Sequence, residues 1–452
     1  MSTWLPDMES RKGARYVALA DEICKAIRDG TLPTGAKLPT QRNLAIATGL
    51  NLTTINRGYA LATRRGLISS EVGRGTFVRT ARMPAMVQWP KGPRFTGIDL
   101  SANLPSASGT PGDVLSAISA FDNEDAGRLL GYHSAHGLDT HRAAAQNWLG
   151  ELGVAVSQEQ IVIVSGAMHG MSLSLMATCQ PGDRVLVEEL TSPGIIALCS
   201  ALALNIDHVP LDGEGIVPSG LERALDAGAA KALITVPNLQ NPTLSVMPLQ
   251  RRLEIAEIIK RRRILTIEND VYGPLVPNRP APLATFAPGL VCYVTSLSKA
   301  AAPGIRVGWL VPPPSLLRRT MDRLQVTSGY TSPVLAEIVS TWIVNDRATS
   351  MVRLQREKAF ERQALAARIL QGLAVTGHPS ALHVWLELPE PWRAEELVAY
   401  ASDNGVAVMP AEAFTTSRRQ RRNAVRISLC NGSRDDLDAG LKRLRLILDG
   451  NM

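Results

Sequence analysis

The chain has 452 residues, 45% of them hydrophobic and 20% charged, the proportions of ordinary globular protein and enough length for two or three domains. No apolar run approaches the roughly 20 residues of a membrane span, the start carries no signal-peptide core, and the five cysteines (Cys24, Cys179, Cys199, Cys292, Cys430) form neither a CxxC nor a Cys/His cluster. A membrane protein, a disulfide framework and a zinc site are therefore not expected, and a cytoplasmic protein is. The formal charge of +7 is uneven: residues 1–80 hold 12 Lys and Arg against 6 Asp and Glu, the remainder 36 against 35. A small basic head precedes a near-neutral body, which points to a polyanion partner, with a merely solubilising tail as the bland alternative.

In chain order, Tyr16, Leu19, Ile23 and Ile27 recur at helical spacing and predict an amphipathic helix that stops at Asp29-Gly30. A turn-rich connector, TLPTGAKLPT, leads to Thr40, which can cap a second helix, QRNLAIAT, ending at Gly49. A third helix is predicted from about Thr53 to Arg65, and LISSEVGRGTFV reads as two short strands around Gly73-Arg74-Gly75. Three helices and a hairpin wing make a winged helix-turn-helix over residues 1–79. Residues 80–98, with three prolines and two glycines, read as a linker. The body, 99–452, alternates short apolar runs with helical stretches. The predicted strands are 160–166, 184–190, 206–212, 231–237, 263–270, 291–297 and 306–312, several apolar on both faces, as in a helix-covered and mostly parallel α/β sheet. Long helical patterns follow, then strands LHVWLEL, VAVMPAE and AVRISLC and a helix, RDDLDAGLKRLRLIL, which suggest a smaller α+β lobe.

A helix-turn-helix reader sets the start of its second helix into the major groove of double-stranded DNA. Asn51, Thr53, Thr54, Asn56 and Arg57 supply short polar or cationic groups there, while Ile55 and Tyr59 supply the buried face. Arg42 can reach a phosphate or base edge, and Arg74 at the wing tip can approach a minor groove. The run KLPTQRNLAIATGLNLTTINRGYALATRRGLISSEVGRGTFV resembles the GntR family. The shared pattern is a leucine-proline, a helix containing Arg-x-Leu-Ala, a Thr-Thr before the recognition helix, and a wing ending Gly-x-Gly-Thr-Phe-Val. Leu52 departs from it, standing where members often carry a DNA-contacting arginine. Thr53 and Thr54 also have a plain reading as caps of the third helix.

In TSLSKAAAPGIRVGW (295–309), Lys299 stands among serines at the end of an apolar run, with Arg306 seven residues on. Such a lysine is either a surface group or an amine that holds an aldehyde. The motifs around it, taken in order, resemble those of fold-type I aminotransferases. That resemblance implies pyridoxal 5'-phosphate as cofactor, with Lys299 as the Schiff-base lysine. It gives the backbone N–H groups of Gly166, Ala167 and Met168, in SGAMHG, to the phosphate, along with Ser296, Ser298 and Arg306. Asn241 in NLQNPT and Tyr272 fall to the phenolic oxygen, and Asp270 in IENDVYGPL to the pyridine nitrogen. Tyr132 falls to the phosphate of the partner subunit, and Arg426 in AVRISLC to a ligand's α-carboxylate. Singly, each has a bland reading as a cap, a turn former or a core edge; their order carries the resemblance. Three positions depart from it. Ser192 stands where the family stacks an aromatic on the ring, with Thr191 or His169 as substitutes; Leu244 replaces a glycine; and His141 stands where an apolar residue is usual.

A GntR-type head on an aminotransferase-like body is the layout of the MocR, or GabR-type, regulators. The resemblance implies a DNA-binding transcription regulator, a head-to-tail homodimer whose signal is an amino compound or pyridoxal phosphate itself. A working aminotransferase carrying a DNA-binding head fits the same groups. The basic runs KRRR (260–263) and RRQRR (418–422) read first as a solvated helix end and a loop, and second as a path for DNA across the body.

Overall fold

The apolar spacing of the head closes three helices on one core. In the computed structural model, which describes residues 4–8, 15–33, 36–64, 67–71, 75–78, 95–121, 127–415 and 422–450, these are α1 (Arg15–Arg28), α2 (Gln41–Thr48) and α3 (Leu52–Arg64). They bury Leu19, Ile23, Leu44, Ile55 and Tyr59. The Thr40 hydroxyl accepts from the Asn43 N–H at 3.2 Å to cap α2, and Gly49 ends it with φ +66°. Asn51, not a threonine, caps α3: its side-chain oxygen accepts from the Thr54 N–H at 3.1 Å. Where α3 crosses α1, a Cβ on Gly58 would lie 2.6 Å from Leu19 Cδ2, so the close approach needs glycine. The Tyr59 hydroxyl donates to the Pro39 carbonyl at 2.7 Å and ties α3 to the connector. The wing pairs β1 (Ile68–Glu71) antiparallel to β2 (Gly75–Val78), and the connector joins it through Leu38 N–H to Thr76 O and Val78 N–H to Ala36 O.

The chain divides into two compact units, Met1–Ala85 and Met86–Met452. The large lobe of the second holds β3 (Ile98–Asp99), α4 (Pro111–Ser119), α5 (Asp139–Glu151), β4 (Val162–Val164), α6 (Ala167–Thr178), β5 (Arg184–Glu188), α7 (Pro193–Ala201) and β6 (Asn205–Val209). It continues with β7 (Leu211–Asp212), β8 (Gly215–Ile216), α8 (Pro218–Asp226), β9 (Ala232–Thr235), α9 (Leu249–Arg262), β10 (Leu265–Asn269), α10 (Leu283–Phe286), β11 (Val291–Ser296), β12 (Gly308–Val311), α11 (Pro314–Thr327) and α12 (Pro333–Val344). The smaller lobe holds α13 (Arg347–Ile369), β13 (Val375–Thr376), β14 (His383–Glu387), α14 (Ala394–Asp403), β15 (Val406–Ala407), β16 (Met409–Pro410), β17 (Ala424–Ser428) and α15 (Arg434–Leu448).

All seven strand segments expected in the large lobe enter one sheet, in the order β4-β12-β11-β10-β9-β5-β6. It is parallel except for β12, which runs antiparallel to β11 and β4. The connection from β11 to β12 carries Lys299 and has no crossover helix, so the chain must reverse. Helix α6 lies directly on the sheet: a Cβ on Gly170 would come 2.8 Å from Val294 Cγ1. The smaller lobe is a four-stranded antiparallel sheet, β13-β14-β17-β16. Ile98, assigned to the linker by sequence, is instead in β3, which pairs with β15; residues 80–94 lie outside the described residues. At the end of α9, Lys260 pairs with Glu257, Arg261 with Glu222, and Arg262 with Glu222 and Asp226, a surface ion network. No described helix is long and apolar enough to cross a membrane.

Candidate functional site

The C-terminal ends of β4, β10 and β11 bring the body's expected groups together. Gly166 turns from β4 into α6 with φ +87°, and the first turn of α6 has no acidic side chain to meet its free N–H groups. Arg306 stands across from it: a Cβ on Gly166 would lie 2.7 Å from Nη2. Arg306 donates to Ser298 Oγ at 3.1 Å and to the Ser165 carbonyl at 3.4 Å, partners that carry no countercharge. Buried Ser296 accepts from the Ser298 N–H at 3.4 Å. A helix N-terminus, a guanidinium and two hydroxyls form a cradle for a dianion.

Lys299 donates to the main-chain oxygen of Asn103. Burial pulls its pKa down to about 8, against the Cys430 thiol and with the Arg426 and Arg306 charges. Asn103 is a hub that the sequence reading missed. Its amide nitrogen donates to the Tyr272 hydroxyl at 3.0 Å and lies 3.3 Å from His383 Nδ1, and its oxygen accepts from Cys430 Sγ at 3.1 Å. Burial raises the Tyr272 phenol to about 12, so it keeps its proton as a donor. Burial, with the Arg426 charge, holds the His383 imidazole well below its ordinary value and therefore neutral.

Asp270 does not stand where the resemblance put it. Its carboxylate accepts from Asn238 at 2.7 Å and from the Tyr293 hydroxyl at 2.6 Å, and forms an ion pair with Arg279. Burial works against the Arg279 charge, but the Asp270 carboxylate outweighs it and holds the guanidinium ionised. Side chains alternate along a strand, so Glu268 shares this side, where it accepts from the Leu283 and Ala284 N–H groups. The intervening Asn269 points to the other side. It is in register with Val294, which packs on α6, and its buried Oδ1 has no partner among the described residues. One residue of offset separates the expected ring partner from the side chain on the cradle's side of the sheet.

Arg426, on β17, is 4% exposed. It donates to Asn241 Oδ1 at 3.1 Å and to the Ser101 carbonyl at 2.6 Å, lies 5.0 Å from the Phe414 ring centroid, and keeps a buried Nε with no partner among the described residues. Burial pushes its pKa down, and its hydrogen-bond acceptors are neutral. A buried guanidinium left in this state calls for a ligand carboxylate. Asn241 thus holds Arg426 through its oxygen. Leu244 takes the left-handed backbone, φ +67°, that a glycine would take freely. Ser192, where the family stacks an aromatic, opens α7; of the two substitutes, Thr191 is buried with a hydroxyl that has no partner among the described residues, and His169 accepts from the Ser165 N–H and lies 3.4 Å from Thr327 Oγ1. His141 donates to Glu337 at 2.7 Å. Tyr132 is 99% exposed and takes no part in this cluster. The cradle, the buried amine, the protonated phenol and the unmatched guanidinium fit pyridoxal phosphate and an amino acid; the Asp270 carboxylate does not contribute.

In the head, Arg42, Asn51, Thr53, Asn56 and Arg57 are exposed and Thr54 is half-buried. The Arg57 guanidinium lies 4.3 Å from the Tyr16 ring centroid, and Asn51 is engaged as a cap. Arg74 lies outside the described residues.

The family model for aminotransferase class I and II matches residues 96–444, and that for bacterial regulatory proteins of the gntR family matches residues 15–78. An uncharacterized HTH-type transcriptional regulator of Bacillus subtilis, YdeF, is 30% identical over 449 residues, 99% of this chain and 97% of its own. A kynurenine aminotransferase of Pyrococcus horikoshii superposes with a TM-score of 0.72 at 25% identity, over 79% of this chain and 91% of that one. A multiple substrate aminotransferase of Thermococcus profundus, at 23% identity, shares the fold with a TM-score of 0.73 over 83% and 96%. The chain belongs to the MocR/GabR-type GntR regulators: a gntR-family head on a class I and II aminotransferase body whose cofactor is pyridoxal phosphate.

Proposed function

We propose that the protein is a transcription regulator whose head binds an operator in double-stranded DNA and whose body reads an amino compound bearing a carboxylate. The observation that carries this is Arg426, a buried guanidinium with an unused Nε and no acidic hydrogen-bond partner among the described residues, in the same cluster as the Lys299 amine. When bound, pyridoxal phosphate supplies an aldehyde that condenses with primary amines and a ring that withdraws electrons from them. Lys299 is the amine that holds it. The first turn of α6, from Gly166 through Ala167 and Met168, with Ser296, Ser298 and Arg306, holds its phosphate. Tyr272 and the Asn241 amide nitrogen donate to its phenolic oxygen. Arg426 takes the effector's carboxylate through two parallel hydrogen bonds and so orients the effector's amino group.

The regulator works as a head-to-tail homodimer, in which the exposed Tyr132 reaches the phosphate of the partner subunit. Arg42, Thr53, Thr54, Asn56, Arg57 and Arg74 contact the operator. Effector binding changes operator affinity only insofar as it favours one arrangement of the dimer over another. The test uses the full chain with its own upstream DNA. Borohydride should fix the cofactor to Lys299, and one carboxylate-bearing amine among those titrated should shift operator binding. A protein that stays colourless with the cofactor, or that ignores upstream DNA in every state, overturns the reading.

A further inference from the structure

We propose that Asn269 faces the ring nitrogen of the bound cofactor, so that this nitrogen stays unprotonated and the body is built to hold amines rather than to transfer their amino groups. This rests on the reading that the body takes pyridoxal phosphate at Lys299. The residue alternation of β10 is the first support. Glu268 and Asp270 are spent on the far side of the sheet, on the Leu283 and Ala284 N–H groups and on Arg279, Tyr293 and Asn238. Asn269 points to the α6 side, beside Val294, where the phosphate cradle begins. It is 6% exposed, and its buried Oδ1 has no partner among the described residues. An amide not tied down through its oxygen can turn its N–H2 toward a ligand, and an unprotonated ring nitrogen is an acceptor that this donor satisfies.

Charge is the second support. An amide brings no negative charge to balance a protonated ring. Among the described residues, the titratable groups bonded to the Asn103 hub beside Lys299 are a phenol, an imidazole and a thiol. His169 on α6 is pushed below its ordinary value by burial, as is His383 on β14, where the Arg426 charge adds to the effect. Tyr272 and Cys430 are raised by burial and stay protonated. The carboxylate whose field reaches Arg426 is Asp99, which is hydrogen bonded to Ser101. Amino-group transfer needs a sink for the electron pair left when the α-carbon loses its proton, and a protonated ring nitrogen is that sink. An asparagine in this place keeps capture of an amine and weakens the transfer.

The experiment reconstitutes the full chain with pyridoxal phosphate carrying nitrogen-15 in the ring and records its nitrogen chemical shift. The wild type should give the shift of a neutral pyridine between about pH 6 and 8. N269D should move it to that of a pyridinium, and should speed conversion of the bound cofactor to its amine form by an added amino acid about tenfold or more. A pyridinium shift in the wild type overturns this inference and leaves cofactor binding standing. A protein that keeps no cofactor after desalting overturns the reading beneath it as well. If N269D does not fold, the wild-type shift alone decides.

Discussion

Asp270 and Arg279 are buried together, and each is there because the other is. Removing the carboxylate leaves a guanidinium without its counterion, so D270N should cost about 3–5 kcal/mol. Denaturant unfolding of the cofactor-free chain measures this; a loss under about 1 kcal/mol would contradict a structural role. Lys299 makes a different prediction. Only its neutral amine can attack an aldehyde, and burial places its pKa at about 8. The rate of cofactor capture should therefore rise about tenfold per pH unit below 8 and level off above it. Stopped-flow absorbance reads that profile, and a rise continuing to about pH 10 would mean that the amine is not depressed.

At the scale of elements, the cap of α3 can be separated from DNA reading. Aspartate caps a helix as well as asparagine does, so N51D should keep thermal stability within about 0.5 kcal/mol. It also sets a negative charge at the start of the recognition helix, and operator affinity should fall when measured by fluorescence anisotropy. Unchanged affinity would mean that Asn51 is only a cap. The elements themselves are largely legible in the sequence. Most of the sheet's strands stand out because burial on both faces demands apolar runs, β6 at the edge being only half-buried, and the head because Thr40, Gly49 and the apolar spacing mark its helix ends. The direction of β12 is not legible, since it depends on what joins it to β11 and not on its composition. At the site, Gly166, Lys299 and Arg306 are legible because local motif and position coincide. Asn269 and Asp270 are adjacent polar residues at the end of β10, and nothing local says which of the two points to the ligand side. A shift of one residue exchanges the faces. Asn103 is illegible for another reason: its partners Tyr272, His383 and Cys430 are far away in the chain, and only folding assembles them.

At the scale of the whole molecule, the uneven charge says where salt should act. The head carries the excess of Lys and Arg and the body is almost balanced, so counterion release on DNA binding belongs to the head. Salt should therefore weaken operator binding steeply and leave cofactor retention nearly unchanged. The coupling between the two is a free energy, and it runs both ways. If a carboxylate-bearing amine alters operator affinity by some factor, saturating operator must alter the affinity for that amine by the same factor. A coupling of about 1–3 kcal/mol would appear as a 5- to 150-fold shift. Two titrations test it: operator binding with and without the amine, and amine binding, followed by the absorbance of the cofactor, with and without operator DNA. Equal factors support one regulator in which the head responds to the body. A factor of one in both titrations, with each ligand bound tightly, would mean a head and a body that share a chain but no equilibrium, and would remove the regulatory reading while leaving both binding sites intact.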